Sequence, residues 1–206
     1  MLTVIHGTIG TIALVSCMLI LALNKLNRPL HVTIGYIFCT TTILVSLVGI
    51  YIAIMKDMPV LVGIGVATIL QVLLGIRALY NKSYINNIYD YLLTLLFICN
   101  LVFLLSVGTN IALAVCAVYS LVISVHIFNT FIKKDKERTL FLAQHISHML
   151  GAATSVITAV IIGALGSFNI SWVFWILPSL VFILIVRYFR LKYAPIRAWS
   201  LKVIKW

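Results

Sequence analysis

The chain has 206 residues, of which 63% are apolar and 9% charged, and its mean hydropathy is +1.18. Soluble domains carry about 45–50% apolar and about 25% charged residues, so a soluble fold is excluded for want of polar surface. The net charge of +11 does not point to nucleic acid, because the basic residues sit just outside apolar runs, as juxtamembrane anchors do, and no basic soluble domain accompanies them.

Seven apolar runs follow in order, at about 3–23, 30–54, 59–80, 90–107, 110–132, 139–165 and 171–191. Each is near the ~20 residues that a spanning helix requires. Asn24 to Pro29 ends the first run, Lys56 to Pro59 the second and Asn81 to Asn87 the third. Gly108-Thr109-Asn110 is a tight turn, Lys133 to Arg138 is a charge run, and Gly166 to Asn169 precedes the last span. The predicted fold class is all-α: one integral membrane bundle of seven helices over 1–191, then a basic, aromatic interfacial tail over 192–206. The first run has no basic n-region and is long enough to remain as a span, so no cleaved leader is expected.

Orientation follows from Lys and Arg. Lys25, Arg28, Arg77, Lys82, Lys133, Lys134, Lys136 and Arg138 fall at alternate breaks. Arg187, Arg190, Lys192, Arg197, Lys202 and Lys205 follow on the C-terminal side, whereas the other side has only Lys56. Fourteen against one separates this way only with an odd number of spans, and the positive-inside rule then predicts an outside N-terminus and a cytoplasmic C-terminus.

Carboxylates are scarce. Asp57, Asp90, Asp135 and Glu137 all fall in breaks or at span ends. Ion-coupled transporters usually place an acid at mid-membrane, so a carboxylate-driven pump is disfavoured. The last span has no central lysine for a retinal Schiff base. Cys17, Cys39, Cys99 and Cys116 lie inside apolar runs without CxxC spacing and read as buried hydrophobes.

Histidine is the titratable group left inside the runs. His145 and His148 lie three apart on one helical face of the sixth run. Beside them Ser147, Gly151, Ser155, Ala159 and Gly163 form a small-residue row that predicts a close helix neighbour. His126 and His145 each stand seven residues from a basic boundary, about 10 Å inside it at ~1.5 Å per residue. His31 opens the second span, and His6 is alone near the outer end of the first. Imidazoles at matched depth on different helices are what haem b needs as axial ligands. Glycine one turn from a ligand makes room for a ring edge: Gly10 for His6, Gly35 for His31, Gly151 for His148. The expected ligands are His31, His126, His145 and His148, with Arg28 or Arg138 for a propionate. Consecutive spans are too close to sandwich iron between His126 and His145, which favours His31 as one partner. His126, His145 and His148 are also the candidates for another metal, although no carboxylate or thiolate completes such a set. The alternative for every one of these histidines is an interhelical hydrogen bond, and for His6 that is the preferred reading. Gln71, Asn100, Asn129 and Gln144 read as interhelical glue, and Gln144 with His145 would also suit a quinone carbonyl.

His6-Gly-Thr-Ile-Gly10, then Pro29-Leu-His-Val-Thr-Ile-Gly35 and Gly49-Ile-Tyr-Ile-Ala53, resemble an uncharacterised group of small bacterial multi-span membrane proteins over about residues 4–80. The resemblance implies a bacterial inner-membrane location and a polytopic fold, and it carries His6 and His31 over as residues of interest. The group tends to show a histidine- and arginine-rich motif after the third span, and Asn81 to Asp90, which stands there, contains no histidine.

Three functions are consistent with this reading. The first is a small haem b protein passing electrons, with a quinone or as a subunit of a redox complex. The second is a small-solute carrier or channel in a 3-1-3 helix arrangement. The third is a non-catalytic scaffold that meets a membrane-protein partner, or a second copy of itself, through the sixth span and the basic tail.

Overall fold

A computed structural model of the chain describes residues 1–23, 28–80, 86–132, 140–165, 174–175, 177–181 and 183–185, with the backbone alone for 21–23, 28, 129, 140 and 163–165. Among the described residues there is no strand. Six long α-helices among the described residues follow in order: α1 Leu2–Leu23, α2 Arg28–Met55, α3 Pro59–Tyr80, α4 Ile88–Val107, α5 Asn110–Ile127 and α6 Leu140–Leu165. Six segments drawn from them are long and apolar enough to cross a membrane. In hydrocarbon, backbone N–H and C=O groups find no water, so a helix that satisfies them within the segment is what such runs must form.

The expected boundaries hold to within a turn, and the differences have local causes. α4 starts at Ile88 because Asn87 caps it. The Asn87 side chain accepts from the Tyr89 N–H at 3.1 Å, and the Asp90 carboxylate accepts from the Asn87 N–H at 2.9 Å. This reciprocal box satisfies donors that a helix start leaves open. Gly108 ends α4 with φ 69°, a left-handed conformation that side chains resist. α5 is α-helical only to Ile127, and Phe128–Ile132 continue as one π-helical turn. The Asn86 side-chain amide donates to the Thr130 carbonyl of that turn at 3.1 Å.

α3 packs against α2, α4, α5 and α6, and α1 lies on α2 and α6. One core joins Leu70, Leu74, Phe97, Leu104, Val115 and Tyr119 across α3, α4 and α5. A second joins Cys17, Phe38, Cys39, Val72, Ala152 and Ala153 across α1, α2, α3 and α6. Outward positions are also apolar, among them Leu47, Leu95, Val102 and Leu121, as suits a protein embedded in a membrane.

The sixth run does pack closely, along part of the expected row. Residues 152–156 are all buried, so the helix is enclosed on every side there, while Ala159 further along the row is exposed. The cause is geometric: steps of four residues drift about 40° each around a helix of 3.6 residues per turn. Gly151 and Ser155 stay at the interface, and Ala159 has turned away. The expected seventh span, 171–191, falls largely outside the described residues; its described parts at 174–175, 177–181 and 183–185 are helical. The tail 192–206 and Arg138 lie outside them altogether, as does the Arg28 side chain.

Candidate functional site

One cluster of buried polar groups lies at the end where α3 and α5 finish and α4 and α6 begin. Arg77 stands one turn inside the end of α3. Its Nε donates to one Asp90 carboxylate oxygen at 2.9 Å and its Nη2 to the other at 2.8 Å. Asp90 is only 3% exposed, in the first turn of α4. The paired, two-pronged geometry allows the Asp90 charge to be buried there, with Arg77 half-buried beside it.

His126 lies beside this pair, on the last turn of α5, and is 6% exposed. Its Nδ1 is 3.1 Å from Nε2 of His148 on α6, which is 3% exposed. On its other side Nε2 is 3.4 Å from the Thr94 hydroxyl. The π turn after α5 brings Thr130 back towards the ring, with Oγ1 3.5 Å from Nδ1, and the Gln144 amide donates to that hydroxyl at 2.9 Å. π turns widen a helix locally and are frequent at functional sites.

The network sets the tautomers. Thr94 spends its only hydroxyl proton on the Asp90 carbonyl at 2.7 Å, so its oxygen accepts from His126 Nε2–H. A neutral imidazole carries one N–H, so His126 Nδ1 is the acceptor and His148 Nε2–H donates to it. A single directed chain results: His148 to His126, His126 to Thr94, Thr94 to the Asp90 carbonyl. A void of about 20 Å³ adjoins it, lined by Arg77, Asp90, His126, Thr130, Gln144 and His148 among others. That is room for one water molecule with several polar partners.

The other expected site residues are placed apart from this pair. His145 turns to α3, with Nδ1 2.9 Å from the Gly75 carbonyl. His31 lies near His145, and its own Nδ1 is buried without a hydrogen-bond partner. The Cβ position of Gly35 has nothing within 4 Å, so the space beside His31 is open. The space at Gly151 is filled by the Gln71 side-chain amide. His6 packs on Gly49 of α2, with its Nδ1 buried and unpartnered. Among the described residues no group of three or more His, Cys, Asp or Glu side chains converges as a metal-ligand set.

Iron does not fit between His126 and His148 as they stand. Two metal–nitrogen bonds of roughly 2 Å would set the nitrogens about 4 Å apart, whereas these are 3.1 Å apart and share a proton. At His145 only Nδ1 faces the Gly75 carbonyl, and open space adjoins His31 at Gly35.

Arg77, Asp90, Thr94 and Thr130 were not among the expected site residues. Arg77 reads as a loop anchor in the sequence and Asp90 as a span-end acid. The signal was the position of Arg77 three residues inside an apolar run, where a cation needs a counter-charge, and Asp90 at the start of the next run can supply it. No family model, curated protein or solved structure matches the chain.

Proposed function

We propose that this chain is a proton-conducting membrane protein: the carrier-or-channel reading, with the proton as cargo. It crosses the bacterial inner membrane seven times, with the N-terminus outside and the basic end of the bundle on the cytoplasmic side. One observation carries the reading, the buried His126–His148 contact of 3.1 Å continued through Thr94 to Asp90. A proton arriving at His148 Nδ1 releases the Nε2 proton to His126 Nδ1. His126 then releases its own Nε2 proton towards Thr94 and the adjoining water-sized void. Each ring gains one proton and gives one up, so both end neutral in the opposite tautomer. Arg77 offsets the Asp90 charge beside the path.

The test is proton uptake by liposomes containing the purified protein, driven by a potassium diffusion potential and read with an internal pH dye. A rate well above that of empty liposomes supports the reading. A rate equal to theirs sinks it.

A second reading, haem b, has its own support in the buried, unpartnered His31 Nδ1 close to His145. There His31 and His145 would hold the haem between α2 and α6, and it would supply one-electron transfer to a quinone or to a partner subunit. Its test is the absorption spectrum of protein made with ample haem supply: a Soret band with sharp reduced α and β bands supports it, and a flat spectrum removes it. A scaffold would show neither flux nor colour and would co-purify with a membrane partner or assemble with itself.

A further inference from the structure

The void beside His126 and His148 has a counterpart deeper in the bundle. A second void, also of about 20 Å³, is lined by Tyr119, Ser155, Thr158 and Trp175 among others. Tyr119 Oη and Ser155 Oγ are 3.1 Å apart. The Trp175 indole N–H is buried with no hydrogen-bond partner. A space of this size with several polar partners holds one water molecule, and an unmet donor at its edge favours that occupant.

The two voids share the same pair of helices. The first is lined by Leu74 of α3 and His148 of α6, the second by Ile64 of α3 and Ser155 of α6. Ten residues of helix separate Ile64 from Leu74, about 15 Å along the axis. Gln71 of α3 and Gly151 of α6 lie in that interval and touch: a side chain at Gly151 would collide with the Gln71 amide. Gln71 is 1% exposed, and its Oε1 is buried without a partner. An unmet buried acceptor is costly, so this seat does not hold the amide firmly. A rotation that lets Oε1 accept from water would also vacate the space between the voids.

We infer that Gln71 is the gate of this membrane protein: seated against Gly151 it separates two water-sized voids, and when its amide swings aside water joins them. The inference rests on the proton-path reading. With the gate shut, the histidine pair exchanges protons with one end of the bundle only. With it open, a water chain runs on to Tyr119, Ser155 and the Trp175 N–H. Glutamine suits the place because its amide accepts and donates hydrogen bonds without carrying charge into a low-dielectric interior.

Proton uptake by liposomes tests this with wild type, Gln71→Ala, Gln71→Leu and the double variant Gln71→Ala/His148→Phe, matched for reconstituted protein. Gln71→Ala removes the plug and raises the rate at least tenfold. Gln71→Leu keeps the volume but offers water no partner, and lowers it at least tenfold. The double variant loses the gain, which separates the path from a general leak. An unchanged rate in Gln71→Ala and Gln71→Leu, beside measurable wild-type uptake, overturns the gate alone, as does a high rate in the double variant. No uptake by wild type or Gln71→Ala overturns the gate and the proton reading together. Should Gln71→Ala fail to fold, Gln71→Leu at wild-type rate overturns the gate.

Discussion

Arg77 and Asp90, thirteen residues apart on successive helices, hold each other through two hydrogen bonds of 2.9 and 2.8 Å, with Asp90 almost wholly buried. The pair fixes the end of α3 against the start of α4, and the same carboxylate accepts the Asn87 N–H that begins α4. Removing one partner leaves a buried charge uncompensated, a loss of about 3–5 kcal/mol. Removing both leaves an apolar contact and a smaller loss. Thermal unfolding in detergent should therefore show Arg77→Met and Asp90→Asn strongly destabilised, with Arg77→Met/Asp90→Leu recovering much of the difference. A double variant no better than the worse single variant would contradict the pairing.

The tautomer chain is open to direct observation. Nitrogen NMR of protein labelled at histidine should find both His126 and His148 with the proton on Nε2, His126 donating to Thr94 and His148 to His126. A proton on His126 Nδ1 would reverse the direction of the chain and contradict the assignment.

Thr94 stands between His126 and the Asp90 carbonyl. Thr94→Val keeps the side-chain shape and deletes the hydroxyl. The stability loss should be about 1–3 kcal/mol, because two hydrogen bonds go and the buried His126 Nε2–H is left unmet, while proton uptake falls at least tenfold. Uptake at the wild-type rate would place the path elsewhere.

Much of this fold is legible in the sequence because length and hydropathy act locally. The breaks at Lys56 to Pro59 and at Gly108 are where α2 gives way to α3 and α4 to α5, and Pro59 takes the first turn of α3, where its missing N–H is harmless. What the sequence hides is azimuth and pairing. His145 and His148 share a face three residues apart, yet one turns to Gly75 and the other to His126, because different neighbours cover adjacent parts of that face. Gly151 announces a close approach but not that the space takes Gln71. Arg77, three residues inside its run, asks for a counter-charge, but the sequence does not say how deeply the pair it forms with Asp90 will be buried or that His126 will lie beside it. Pairings of this kind depend on which helices touch, and periodicity carries no such information.

The central claim is that protons pass through the His126–His148 contact. The most direct measurement compares proton uptake by liposomes holding wild type and His148→Phe at equal density under the same imposed potential. Phenylalanine fills the ring's place and removes both nitrogens. The account predicts steady uptake by wild type and a rate indistinguishable from empty liposomes for His148→Phe. Equal uptake by the two proteins would contradict it.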